Sequence, residues 1–276
     1  MKIGIIGLGL IGGSLGLCLK NEKLISCVSG LDISKEHEKK ALELGLVHEI
    51  LSLEEMKKKC DIIFLAIPVE AIINIVKEFE DIDENTTIID LGSTKQKIIE
   101  AVPEKIRANF VPAHPMAGTE YSGPTAAFSG LFNGAVVAIC DFKESSEKHV
   151  KRSVELFSHL GMKIIFMGAK EHDHHVGLIS HLPHAISFSL AAGVLKKENK
   201  KNIIALSGTG FNGMIRIAKS SPVMWSDIFK QNKDNLISSI KMFKDELAVC
   251  ENLVREERWD ELRDWMSEAR KIREIL

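Results

Sequence analysis

Up to about residue 165, short β-branched apolar runs alternate with stretches in which apolar residues return every three or four positions. Lys2-Ile3-Gly4-Ile5-Ile6 reads as a strand and residues 10–20 as a helix. Cys27-Val28-Ser29-Gly30-Leu31 reads as a second strand, and Ser34 is a suitable N-cap for a helix ending near Leu44. Further strands are predicted at 61–66, 87–90, 110–113, 135–139 and 163–166, with helical patterns at 69–80, 94–101 and 144–160. Strands that alternate with helices specify a parallel sheet wound on both faces.

The strand signal stops at Gly168. From Glu171 onward one helical segment follows another, with prolines only at 183 and 222. Leu236, Ile240, Phe243, Leu247, Cys250 and Val254 recur at three- and four-residue steps, the stripe of a long helix packed in a bundle. With so little sheet to lean on, part of that stripe is available to a second subunit. The predicted organisation is α/β followed by all-α, with domains at 1–168 and 169–276.

Composition narrows the class. Hydrophobic residues make up 45% and charged residues 27%, the balance of an ordinary soluble globular chain. The formal net charge of −2 argues against nucleic acid or an anionic membrane as a general partner. No apolar run reaches the roughly 18 residues needed to cross a bilayer. The apolar stretch from Ile3 to Leu19 is broken by six glycines and lacks the lead-in of a signal peptide. Five scattered cysteines without a Cys-x-x-Cys pair point to reduced thiols, hence to the cytoplasm.

Gly7-Leu8-Gly9-Leu10-Ile11-Gly12 follows the first strand and opens a helix, and Asp32 ends the second strand twenty residues after Gly12. In that setting the glycines are a dinucleotide fingerprint. Gly7 allows the tight turn, Gly9 the approach of a pyrophosphate, and Gly12 the close packing of helix on strand. Asp32 would accept hydrogen bonds from the adenosine ribose and repel a 2′-phosphate, so the expected cofactor is NAD on a doubly wound Rossmann-type sheet. Lys35 stands close enough to Asp32 to leave strictness against NADP open.

Four further segments carry the chemistry: Leu91-Gly92-Ser93-Thr94-Lys95, His114-Pro115-Met116-Ala117-Gly118-Thr119-Glu120, Ser180-His181-Leu182-Pro183-His184, and Arg216-Ile217-Ala218 leading to Trp225. Together they resemble the prephenate and arogenate dehydrogenase family, and the resemblance covers nearly the whole chain. It implies a helical second domain that forms a homodimer, and oxidative decarboxylation of prephenate to 4-hydroxyphenylpyruvate in tyrosine biosynthesis. It assigns His114 to take or polarise the proton of the ring hydroxyl, with Ser93 holding His114 and that hydroxyl in register. Arg216, placed in a partly buried setting, would bind a substrate carboxylate. Ser180 and His184 would meet the pyruvyl side chain, and Thr119, Glu120 and Trp225 would complete the pocket. No metal is required.

Two alternatives stay open: the same chemistry on arogenate, and an NAD-binding sensor without turnover. A 3-hydroxyacid or imine reductase would share the sheet but not the segment from His114 to Glu120. His172, His174 and His175 do not share one helical face, so a solvated or interface cluster is expected rather than a metal site. Pro183 should kink the helix between His181 and His184. Many members of the family carry an acidic residue where this chain has Gly213, which places a gating pair with Glu120 in doubt. The chain starts at the first strand and stops after the helices, so no fused mutase or regulatory domain is expected, and tyrosine feedback would act near the site.

Overall fold

The computed structural model describes residues 1–275. Strand β1 (Lys2–Ile6) leads through a glycine turn into helix α1 (Leu10–Leu19), then β2 (Cys27–Leu31) and α2 (Lys35–Glu43). Ser34 caps α2 as predicted, its hydroxyl accepting from the His37 N–H. A two-residue strand β3 (Glu49–Ile50) and helix α3 (Leu53–Lys59) follow, neither of which the pattern announced. The signal for α3 is nevertheless local: Ser52 and Glu55 form a reciprocal capping box.

The chain continues through β4 (Ile62–Leu65), α4 (Val69–Ile75), β5 (Thr87–Asp90), α5 (Gln96–Ala101), α6 (Glu104–Arg107) and β6 (Phe110–Pro115). Strand β7 (Val136–Cys140), helix α7 (Glu147–His159) and strand β8 (Lys163–Met167) complete the sheet, whose order is β3-β2-β1-β4-β5-β6-β7-β8. Neighbours are parallel except β6 and β7, which pair antiparallel with His114 opposite Ala138. The sheet is thus parallel as expected apart from this one pair. A parallel return needs a crossover element, and between these strands there is only a single helical turn, Pro124–Ala126.

β4 and β5 are buried at every position, so they read as continuous apolar runs. Alternate residues feed the two faces: Ile3, Ile5, Ile62 and Phe64 join one core, while Ile6, Ile63, Leu65 and Ile88 join the other.

Beyond Met167 the described residues are helical: α8 (Ala169–Val176), α9 (Leu182–Lys197), α10 (Lys200–Leu206), α11 (Thr209–Ile215), α12 (Pro222–Gln231), α13 (Lys233–Arg255) and α14 (Trp259–Arg270). α8 and α9 are joined by a π-helical turn, Gly177–His181, into one 29-residue helix. Pro183, which has no N–H to give, sits in the first turn of α9, and the wide turn just before it accommodates the ring. An 18-residue window of this continuous helix has mean hydropathy 1.4, long and apolar enough by composition to cross a membrane. That was not foreseen, because no unbroken apolar run marks it. The helix also carries His172, Asp173 and His181, all buried within the protein.

Candidate active site

The glycine turn lies where β1 and β4 are neighbours and the strand order reverses direction, the place where such sheets bind ligands. A Cβ at Gly12 would stand 1.9 Å from the Gly7 carbonyl oxygen, so only glycine lets α1 start this close to the turn. Gly7 has φ +94, and a Cβ there would strike the Ala66 carbonyl oxygen at 2.3 Å. At Gly9, by contrast, a Cβ would meet nothing within 4 Å. The open side of Gly9 at the N-terminus of α1 is the cradle a pyrophosphate fits.

Asp32 is 9% exposed and already has structural work: its carboxylate accepts from the Leu8 N–H at 2.8 Å and the Ser34 N–H at 2.9 Å. Two oxygens offer about four acceptor sites, so room remains for a ribose. Lys35 turns away to Glu38 at 2.8 Å, and so does not reach Asp32. The residues present fit a dinucleotide with a free 2′-hydroxyl.

A second cluster forms at the carboxyl ends of β5 and β6. Asp90 ends β5 and, fully buried, pairs with the equally buried Lys95. The Lys95 ammonium also donates to the Ala113 carbonyl at 2.8 Å, holding the end of β6 next to His114. His114 is 8% exposed, and its Nδ1 lies 2.8 Å from Nε2 of His172. The other nitrogen of His172 lies 2.8 Å from Oδ1 of Asp173. Asp173 in turn accepts from the Lys95 N–H at 2.8 Å and the Gln96 N–H at 2.9 Å. Burial pushes His114 well below the usual imidazole range, helped by His172, Lys95 and His181 around it. At neutral pH the ring is an uncharged acceptor.

The helical region closes the cluster from the other side. Asn232 donates to the Asp173 carbonyl at 2.7 Å and lies 3.1 Å from Nδ1 of His181. Burial lowers His181 to about 4 and also lowers His184. Trp225 stacks on His184 with ring centroids 3.4 Å apart and meets His181 edge-on. Its indole N–H is buried and, among the described residues, has no hydrogen-bond partner. His184 Nδ1 bonds the Ser180 carbonyl at 2.9 Å, so Ser180 acts here through its main chain.

Several expectations change. His172 does not belong to a solvated cluster: it is 1% exposed and bonded to His114, while His174 and His175 face outward. Ser93 is half-buried and, among the described residues, makes no hydrogen bond to His114, whose Nδ1 is taken by His172. Arg216 is exposed rather than partly buried, with 60% of its side chain accessible, and faces Glu120 at 3.8 Å. Glu120 thus has a partner although Gly213 offers none: the arginine itself. Thr119 is exposed, its hydroxyl accepting from the Tyr121 N–H at 3.2 Å.

The sequence reading missed Asp90, Lys95, His172, Asp173 and Asn232. A faint signal existed in an Asp and a Lys bracketing the Gly-Ser-Thr turn after an apolar strand, and in the His-Asp pair of the first helix beyond the sheet.

A glycine turn on a switch point, an acidic residue closing β2, and a buried neutral imidazole nearby define a nicotinamide-dinucleotide dehydrogenase. Residues 15–166 match the model of the prephenate dehydrogenase nucleotide-binding domain, and residues 168–268 that of the prephenate dehydrogenase dimerization domain. The chain belongs to the prephenate dehydrogenase family. It is 31% identical to the prephenate dehydrogenase of Bacillus subtilis (strain 168), over 99% of this chain and 75% of that one. Among solved structures it is similar to the A. aeolicus prephenate dehydrogenase in complex with hydroxyphenyl propionate and NAD+, at TM-score 0.91 and 31% identity, covering 99% of this chain and 97% of that one. It is also similar to the Synechocystis arogenate dehydrogenase, at TM-score 0.81 and 26% identity, covering 99% of each chain.

Proposed function

We propose that this chain oxidises prephenate at its ring hydroxyl and releases carbon dioxide, giving 4-hydroxyphenylpyruvate on the route to tyrosine. The observation that carries the reading is the buried neutral His114 at the carboxyl end of β6, with one ring nitrogen engaged and the other uncommitted. NAD, when bound, supplies the hydride acceptor. His114 takes the hydroxyl proton, for which a neutral imidazole is the right form. Ser93, on the loop after β5, meets the same hydroxyl rather than His114. Arg216 draws a substrate carboxylate away from the solvent, exchanging it for Glu120, and its planar fork suits a bidentate hold. His184 stacked on Trp225 walls the side-chain end of the pocket, with Ser180 and Thr119 at its rim. Loss of carbon dioxide restores an aromatic ring, so the protein's task is alignment and proton removal.

We divide the chain at 168, with the sheet region holding the cofactor and residues 169–276 the substrate and a second subunit. The outward apolar residues of the helices, among them Leu195, Leu206 and Leu247, support a homodimer, as does the dimerization model that residues 168–268 match. A cytoplasmic site suits the free thiols Cys60 and Cys140, both buried.

Arogenate is the second reading, because the Glu120 carboxylate beside the pocket offers a counter-charge to an amine. Its pairing with Arg216 favours the keto acid. NADH formation with prephenate and arogenate offered separately tests this: turnover of prephenate is expected, and turnover of arogenate alone would overturn the assignment.

A further inference from the structure

We propose that His172 and Asp173 are positioning residues that fix which nitrogen of His114 carries its proton, leaving the Nε2 lone pair turned to the substrate. The inference rests on reading His114 as the base and names what makes it one. It follows from asking, along a chain of three bonds, which atom is able to donate.

The Asp173 oxygens receive two main-chain N–H groups, those of Lys95 and Gln96, at 2.8 and 2.9 Å. A carboxylate so held has only lone pairs to offer, so the 2.8 Å bond to His172 is donated by the His172 Nδ1–H. A neutral imidazole with its proton on Nδ1 has its lone pair on Nε2. That lone pair lies 2.8 Å from Nδ1 of His114, so the His114 Nδ1–H is the donor there. The two rings meet edge-on, 74° apart. Being neutral, His114 is then bare at Nε2.

The surroundings hold this arrangement rigid. His172 and Asp173 are 1% and 3% exposed, and Asn232 fixes the Asp173 carbonyl. The charged and titratable groups around His114 are Lys95 with its partner Asp90, His172 with Asp173, and His181. None of these groups makes a hydrogen bond to Nε2 of His114; the ring bond is at Nδ1. A histidine carrying its proton on the wrong nitrogen would present N–H to the substrate hydroxyl and could not take its proton. In the Ser-His-Asp proteases a misassigned tautomer of this kind costs about 10⁴ in turnover. When His114 does take the proton, its Nδ1–H stays bonded to His172, and the charge is shared along the line toward Asp173.

The test joins a spectroscopic and a kinetic readout on the full chain. Long-range ¹H–¹⁵N correlation on protein labelled at histidine reports the tautomer of His114 directly, with no substrate present. The expected wild-type state is protonated Nδ1 and bare Nε2. In His172→Leu the acceptor is gone, so protonated Nε2 should appear and kcat should fall about 10²-fold or more, with NAD affinity unchanged. In His172→Gln the side-chain amide can accept from His114 and donate to Asp173, so the Nδ1–H tautomer should persist and kcat should recover to within about tenfold of wild type. A wild-type His114 protonated at Nε2 would overturn the proposal. So would a folded His172→Leu protein with the wild-type tautomer, or a Gln variant no better than Leu. Because the tautomer is read without turnover, its outcome stands apart from whether prephenate is the substrate.

Discussion

In the sheet region β4 and β5 are buried at every residue, and Phe64, Phe79, Phe110 and Phe157 are almost wholly hidden. In the helical region Leu182, Trp225, Ile228, Leu236 and Leu253 are buried, but Leu195, Ile204, Leu206, Leu247 and Val254 face outward. The two regions draw on the same apolar residue types and differ in where the second layer comes from. A sheet covered by helices on both faces completes its own core. A run of helices after a single sheet does so only where it docks, here through His172 and Asp173, which bond His114, Lys95 and Gln96, and otherwise leaves apolar faces exposed. The sheet region is self-contained, whereas the buried cluster around His114 is assembled at the seam between regions.

The sharpest break of that contrast is at the seam itself. His114→Ala should lower kcat by about 10²–10⁴, the usual worth of a positioned acid–base group, with NAD affinity unaltered. Steady-state kinetics beside a cofactor titration would show it, and unchanged turnover in a folded variant would remove His114 from the reaction. Next comes the outward face. Leu247→Glu should weaken dimerisation by about 2 kcal/mol, roughly thirtyfold in the dissociation constant, as an apolar contact gives way to a charge. Sedimentation across micromolar concentrations reads this, and a wild-type monomer there would show the helical region to be self-sufficient after all.

Arg216→Ala should raise the Michaelis constant for prephenate about tenfold, the low end for a charged hydrogen bond because the guanidinium is so exposed. Arg216→Lys should recover part of this, since an ammonium lacks the fork. NAD affinity should stay constant, as the residue belongs to the helical side. The smallest effect is expected on the cofactor side. Asp32→Asn keeps an acceptor for the Leu8 N–H but removes the charge, so NAD binding should weaken a few-fold, by about 1 kcal/mol, while discrimination against NADP relaxes. If fluorescence titration with both dinucleotides shows an unaltered ratio, Asp32 does not face the ribose.

Much of the cofactor half was legible because its signals are local. A glycine turn, a strand before it and an acid after the next strand lie within the first 32 residues, and their spacing reports geometry directly. The antiparallel β7 was not legible, since pairing direction depends on the path of the segment 116–135 and leaves no mark in the strand's own pattern. On the substrate side the motif residues were visible, but their partners were not. His172 looked like one of three histidines in a solvated or interface cluster, and only the packing of α8 against the end of β6 separates it from His174 and His175. The environment of Arg216 was likewise misjudged. A charged residue in an amphipathic segment does not disclose how far the next turn covers it, and here most of the side chain stays open.

What the sequence determined by itself, then, is whatever follows from neighbours along the chain. That covers most of the strand and helix succession, the glycine turn from Gly7 to Gly12, the acidic residue Asp32 after β2, and the segments bearing His114, Arg216 and Trp225. What only the tertiary structure decided is which distant groups meet. Asp173 reaches the N–H groups of Lys95 and Gln96, 78 and 77 positions away, and His172 reaches His114 across 58. A hydrogen bond requires approach to about 3 Å in a set direction, and no periodicity records such an encounter between remote parts of a chain. Side-chain type can be read from the sequence, but the protonation state and reach of His114 depend on neighbours that folding supplies.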